Sequence, residues 1–321
     1  FTSSASGRAS ASIFFNAGAA NPLTTASDLF LSAPNVLLGA NPGGTLSIGG
    51  TLGLFAIGEG GGTTGTSRTG GTANFFTSVN ATSTVNGTVI IDASGFGDVN
   101  SSGAGSGGNG SGGSAQISVS GGTLTINGSA FVRANGTGGG NTNGSGAAGN
   151  SFGGNALVFS HDESGVDGLM TINGDVEVTA NANDTETVSA GIDGGNAIAG
   201  QATLISNFGG AMVVAGNALV EGRAQGGENL GGGDLTGGTA TGSSFAQISS
   251  QKPGASLVIL GSATVDASAI GGASSSAGGA GGIATGGTAA IGVNDSATLE
   301  INGAVAMYAD GRGGNGAGSA A

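Results

Sequence analysis

Met170-Thr171-Ile172-Asn173-Gly174-Asp175-Val176-Glu177-Val178-Thr179-Ala180 decides the fold of this chain. Asn-Gly between two apolar runs is a strong hairpin signal. A two-residue loop at Asn173-Gly174, however, would set Ile172 opposite Asp175 and Met170 opposite Glu177, turning both carboxylates onto the face that the apolar residues must bury. One unbroken period of two instead puts Met170, Ile172, Gly174, Val176, Val178 and Ala180 on a single side and sends the acids outward. Gly174 is then a bend in a coil, where the missing side chain permits a close backbone approach.

The same pattern of apolar residue, any residue, Ile or Val, any residue, Gly recurs along the chain. It appears at Leu46 to Gly50, Leu124 to Gly128, Met212 to Gly216, Leu257 to Gly261 and Leu299 to Gly303, with a weaker copy, Ser83 and Val85, before Gly87. The anchor glycines are separated by 37, 41, 46, 42, 45 and 42 residues. Each is followed by further alternation, as in Ala130, Val132 and Ala134, and preceded by another apolar pair, as in Ala115 and Ile117. The distance from that earlier Ala to its anchor is 14, 13, 18, 14, 15 and 14 residues, and the 18 marks an insertion in an exposed turn around Ser160-His161-Asp162-Glu163-Ser164.

Two independent spacings that hold this steady predict an all-β parallel β-helix, a solenoid of about seven Gly-rich repeats of roughly 42 residues over 36–321. Ala115 to Ala134 accommodates three short strands, close to one turn of such a helix. The rest of the unit, such as Asn135 to Asn155, is nearly all Gly, Asn, Ser, Thr and Ala. Two arrangements suit it: a second, thin coil packed through Gly and Ala, or a Gly-rich excursion, polyglycine-like, on one side of an enlarged rung. The enlarged rung is the reading taken. Residues 1–35, with Pro22, Pro34 and the runs Ile13-Phe14-Phe15 and Leu29-Phe30-Leu31, are read as an irregular coil of the same solenoid.

Composition bounds the chemistry. The chain has 6 basic and 19 acidic residues, no Cys, no Trp and one His, so the usual material of active sites is scarce. A net charge of −13 argues against nucleic acid and against a polybasic membrane contact, both of which need a basic surface. No stretch of about 18 apolar residues that could span a membrane occurs, and Phe1-Thr2-Ser3-Ser4 opens no leader-like segment. The ends fall in repeat-like sequence, and the chain reads as a segment of something longer.

The apolar-x-Ile-x-Gly units, the alternating Ala and Val after them and the Gly/Asn/Ser/Thr spacers resemble the repeat regions of large bacterial secreted adhesins, of the filamentous-haemagglutinin-like and autotransporter-passenger kind. That resemblance, which covers most of 36–321, implies a right-handed β-helix at the bacterial cell surface serving adhesion, aggregation or biofilm. The partners expected are a cell-surface or glycan receptor and further copies of the chain, associated laterally or head to tail through unblunted rung edges at both ends. The long Gly-rich half of each unit departs from it.

Candidate chemistry is sparse. His161-Asp162-Glu163 is the one place where a His and carboxylates cluster, and a polar turn inserted in a single repeat is read as solvated. Gly105-Ser106-Gly107-Gly108-Asn109-Gly110 fits a dinucleotide-binding pattern, but with 73 Gly such matches arise by chance. Gly231-Gly232-Gly233-Asp234 partly fits a calcium repeat without being iterated, and the sequons at Asn80, Asn86, Asn127, Asn135 and Asn143 reflect composition. Phe131 and Tyr308 are outward aromatics.

The expectation is therefore a structural or adhesive segment with no catalytic, cofactor or metal site, or alternatively a self-assembling filament subunit. A carbohydrate-active β-helix enzyme would need converging acids, whereas Asp175, Glu177, Glu221 and Asp266 fall in different repeats. An ice-binding solenoid would need ranks of Thr at one repeat position, and no iterated Thr-x-Thr array is recognised in the sequence.

Overall fold

A computed structural model describes residues 12–102, 105–142, 146–183, 193–229, 236–275 and 279–316. All regular structure among them is strand, arranged in five parallel sheets, three of eight strands and two of six. The chain winds as a parallel β-helix. In one turn it passes through Ser114–Ser120 on a first face, Thr123–Ile126 on a second and Ala130–Arg133 on a third. It then leaves along an outgoing arm containing Gly136–Thr137, returns through Ser151–Phe152, and starts the next turn at Asn155–His161.

The registers are those set by the alternation. Leu124 pairs with Met170 and Ser83, Ile126 with Ile172 and Val85, Ala115 with Ala73 and Ala156, and Ala130 with Val176 and Val89. No hairpin forms at Asn173-Gly174. The anchor glycines stack in a column in which each N–H donates to the Gly carbonyl of the preceding rung, from Gly87 on Gly50 at 2.9 Å to Gly303 on Gly261 at 3.0 Å. A Cβ at Gly128 would lie 2.7 Å from the Gly87 carbonyl oxygen, which explains why glycine is kept at the corner.

Inside the three faces, the apolar columns merge into one core. Phe75, Leu38, Leu46, Ile48, Ile117, Leu124, Ile126, Met170 and Ile172 are among its fully buried side chains. Each of these elements is half-buried on its own and closes only against its neighbours, about 4.8 Å away. Eight rungs result. Seven carry the repeats, and the first is a coil within residues 12–32, whose strands Ser12–Ala17, Leu23–Thr25 and Leu29–Ser32 pair in register with the next turn. That coil makes no excursion: Ala33 and Pro34 lead straight into the strand Asn35–Ala40.

The Gly-rich half is an excursion of a single enlarged rung, and its order comes from the backbone. At its neck the arms are tied by Gly113 N–H to Ala93 O (2.7 Å), Gly154 to Ala134 (2.7 Å) and Gly200 to Ala180 (2.8 Å), closing the three-sided core behind them. Farther out, glycines zigzag between the arms while climbing the stack. Gly108 N–H donates to Asp98 O, Gly139 to Gly108 and Gly149 to Gly139, each at 2.8 Å. The same zigzag runs later from Gly227 through Gly238, Gly272 and Gly282 to Gly314. A Cβ at Gly97, Gly107 or Gly138 would collide with a carbonyl of the opposite arm, of Gly108, Gly139 and Gly149 in turn, so the two arms lie at a separation that only glycine allows. In later rungs a second small core of alanines fills the fin, with Ala182, Ala197, Ala199, Ala224, Ala240 and Ala269 buried.

Candidate functional site

Many polar side chains of the described residues, asparagines above all, bond to a neighbouring rung. Asn127 Nδ2 donates to Asn86 Oδ1 and Asn173 Nδ2 to Asn127 Oδ1, both at 3.0 Å, an amide ladder beside the glycine column. Asn135, Asn150, Asn181, Asn196 and Asn217 each accept a backbone N–H from the rung above through their side-chain oxygen, at 2.8 to 2.9 Å. Asn141, fully buried at the tip of an excursion, donates to Gly105 O (2.8 Å) and Gly146 O (2.7 Å). Of the sequons, Asn86, Asn127 and Asn135 belong to these ladders, Asn80 occupies a corner at φ 56°, and Asn143 lies outside the described residues.

His161, Asp162 and Glu163 begin the inserted turn between the first and second faces. The His161 ring stacks on Phe159, with centroids 5.2 Å apart, and its Nδ1 lies 3.5 Å from Ser120 Oγ. Asp162 Oδ1 accepts the Gly165 N–H at 2.9 Å. Glu163 and Val166 exchange backbone hydrogen bonds at 3.0 and 3.1 Å around Ser164 (φ 58°) and Gly165 (φ 76°), a two-residue turn of the type that needs positive φ at both central residues. Asp162 thus closes its own turn while Glu163 supplies backbone. Among the described residues, no three His, Cys, Asp or Glu side chains are grouped to hold a metal ion. Gly105 to Gly110 forms part of the excursion between strands, with no helix following, and Gly231 to Asp234 lies outside the described residues.

Charge is concentrated on the third face. Arg133, Thr179, Glu221, Asp266 and Tyr308 form one outward column. The acids fall in different repeats, as the sequence shows, yet the coil brings Glu177, Glu221 and Asp266 onto one sheet face, while Asp175 sits at the corner holding Asn217 N–H at 2.7 Å. Arginines partner them: Arg133 reaches Glu177 at 3.0 Å, and Arg223 lies 3.4 Å from Asp266 and 3.9 Å from Glu221. Arg133 also lies 5.2 Å from the centre of the Phe131 ring. Both arginines being exposed, these pairs contribute little to stability.

Among the described residues one carboxylate is buried. Asp98, on the outgoing arm of the third rung and 1% exposed, takes two hydrogen bonds from Arg68, at 3.2 and 2.8 Å, and one from Gly61 N–H at 3.0 Å. The Arg68 hydrogen bonds hold its carboxyl below the usual range against the opposing effect of burial, with help from the Gly62 and Gly61 N–H groups. Beside it, Ile57, Glu59, Gly60, Phe96, Gly97 and Val99 line a shallow groove of about 560 Å³.

The second face holds a feature that the sequence reading passed over. Thr45, Thr82 and Thr123 form one outward column, and Thr24, Ser47, Thr84, Thr125 and Thr171 form the next. Thr-x-Thr or Thr-x-Ser therefore repeats at one position in three successive rungs, contrary to the expectation that no such array exists. Measured from the anchors, the signal is present: these residues stand five and three places before Gly50, Gly87 and Gly128.

Comparison with known protein families, curated proteins and solved structures yields no match. Fold and surface together define a repeat protein of the parallel β-solenoid class. No helix among the described residues is long and apolar enough to cross a membrane.

Proposed function

We propose that the chain is a structural and adhesive segment of an extracellular bacterial surface protein. The observation that carries this reading is how the polar side chains are used: Asn, Ser and Asp groups at the corners and arms are committed to the neighbouring rung, which makes a stiff stack in place of a concave site. Eight rungs rise about 34 Å at the strand spacing, and further rungs of the same kind would lengthen the rod without any change of design. The likeness of the repeat to secreted adhesin repeats supports placement at the cell surface and a receptor on a neighbouring cell or glycan.

Electron microscopy of cells expressing the full-length protein, combined with an attachment assay, tests the proposal. Thin projections and attachment that both disappear when 36–321 is excised are the expected result. Retained attachment after excision, or turnover of a polysaccharide by the purified chain, would overturn it. Free filaments built from stacked copies would identify a self-assembling subunit instead.

A further inference from the structure

The outward hydroxyls in the two threonine columns of the second face serve nothing inside the protein. None of Thr24, Thr45, Ser47, Thr82, Thr84, Thr123, Thr125 and Thr171 makes a side-chain hydrogen bond, whereas Thr77, Ser129, Ser151, Ser160, Ser206 and Ser262 are all tied into the rungs. Their two columns stand about 6.6 Å apart along the strands, and successive members lie about 4.8 Å apart up the stack. No charged side chain enters either column until Glu300 in the last rung. Behind them Leu46, Ile48, Leu124, Ile126, Met170 and Ile172 are at most 1% exposed, so the array is backed by a packed core. Branching at Cβ restricts χ1 of the threonines.

We propose that this face binds ice. A single soluble molecule would engage two or three of the eight hydroxyls; an extended lattice engages all of them. Each hydroxyl both donates and accepts, and each methyl excludes a water, so water over the face is held at intervals dictated by the backbone. The interval between rungs is close to an oxygen repeat of ice, and liquid water has no such repeat to match. Absence of charge matters for the same reason, because an ion keeps a hydration shell that does not fit the lattice. Val213 and Val258 continue the second column with the same branched shape and no hydroxyl. The methyl pattern thus runs farther up the stack than the hydroxyl pattern. This reading is independent of adhesion, which is measured on cells.

The test uses the purified chain in an ice-recrystallisation assay, with crystal shape observed during slow growth. The wild type is expected to suppress recrystallisation and to facet the crystals. Thr84→Tyr combined with Thr125→Tyr, which breaks the flatness of the array, should lose both effects. Thr203→Tyr and Thr264→Tyr, outward on the first and third faces, should keep them. Circular dichroism melts check that each variant is folded, and Thr84→Val with Thr125→Val removes the hydroxyls alone should the bulkier pair fail to fold. An inert wild type would show that the ranks reflect strand propensity only, and equal losses in all the tyrosine variants would show that the second face is not special; either result overturns the proposal. Binding to an insoluble polysaccharide without any effect on ice would do so as well.

Discussion

Single residues show most directly how this chain replaces side-chain packing with backbone contact. At Gly149 a methyl group would collide with the Gly108 carbonyl, and the nearby atoms are all backbone, so nothing can turn aside. Gly149→Ala should lower stability by about 1–3 kcal/mol, as overpacking does, whereas Gly18→Ala, with open space around it, should be silent; urea midpoints of the two variants compare them. Asp98 gives a pH-dependent counterpart. Because its folded pKa lies below the unfolded one, the folded state binds that proton more weakly, and the stabilisation is present above the usual carboxylate range and lost as pH falls through the folded value. Asp98→Asn should cost about 1–3 kcal/mol at neutral pH, and the gap to the wild type should close in acid-titrated denaturation curves. Neither residue stands out in the sequence. Glycine is everywhere, and the partner of Asp98 is thirty positions away on the preceding rung, at Arg68.

At the scale of elements, what could be read depended on periodicity. Strands such as Thr123–Ile126 and Val176–Thr179 announce themselves through alternation, and parity at Asn173-Gly174 excludes a hairpin in favour of a coil. Arms such as 136–142 and 146–152 have no alternation to read, because their register is set by N–H and carbonyl groups that every residue carries. The threonine ranks were missed for a third reason: rungs of 37 to 46 residues scatter equivalent positions along the chain until they are aligned on the anchor glycines. One consequence is an asymmetry in tolerance. Inserting one residue between Ile126 and Ala130 shifts the third-face strand by half a pleat and should abolish folding, while two glycines added after Ser106, in the excursion, should leave the circular dichroism spectrum and melt nearly unchanged. Core truncation at the centre, Ile172→Ala, should cost about 2–5 kcal/mol in the same denaturation experiment.

The whole molecule behaves as a one-dimensional stack, since each rung touches only its neighbours. Excising 128–173 joins Asn127 to Gly174 in their existing register, and the shortened chain should fold with the same β spectrum and a lower melting temperature. Sheets, faces and rung number follow from the repeat, and the use of the exposed faces depends on the few positions where rungs differ. The glycine column at the corner, described above as a packing requirement, also determines how the rod responds to load. The bonds of that column join successive rungs in series, so pulling the two chain ends apart peels the terminal rungs first, one interface after another. Unwinding a rung frees 37 to 46 residues, or about 13–16 nm of chain at full extension. Under such tension the rod would lengthen in discrete steps, one rung per step, and would dissipate work at each of them while its remaining length stayed folded.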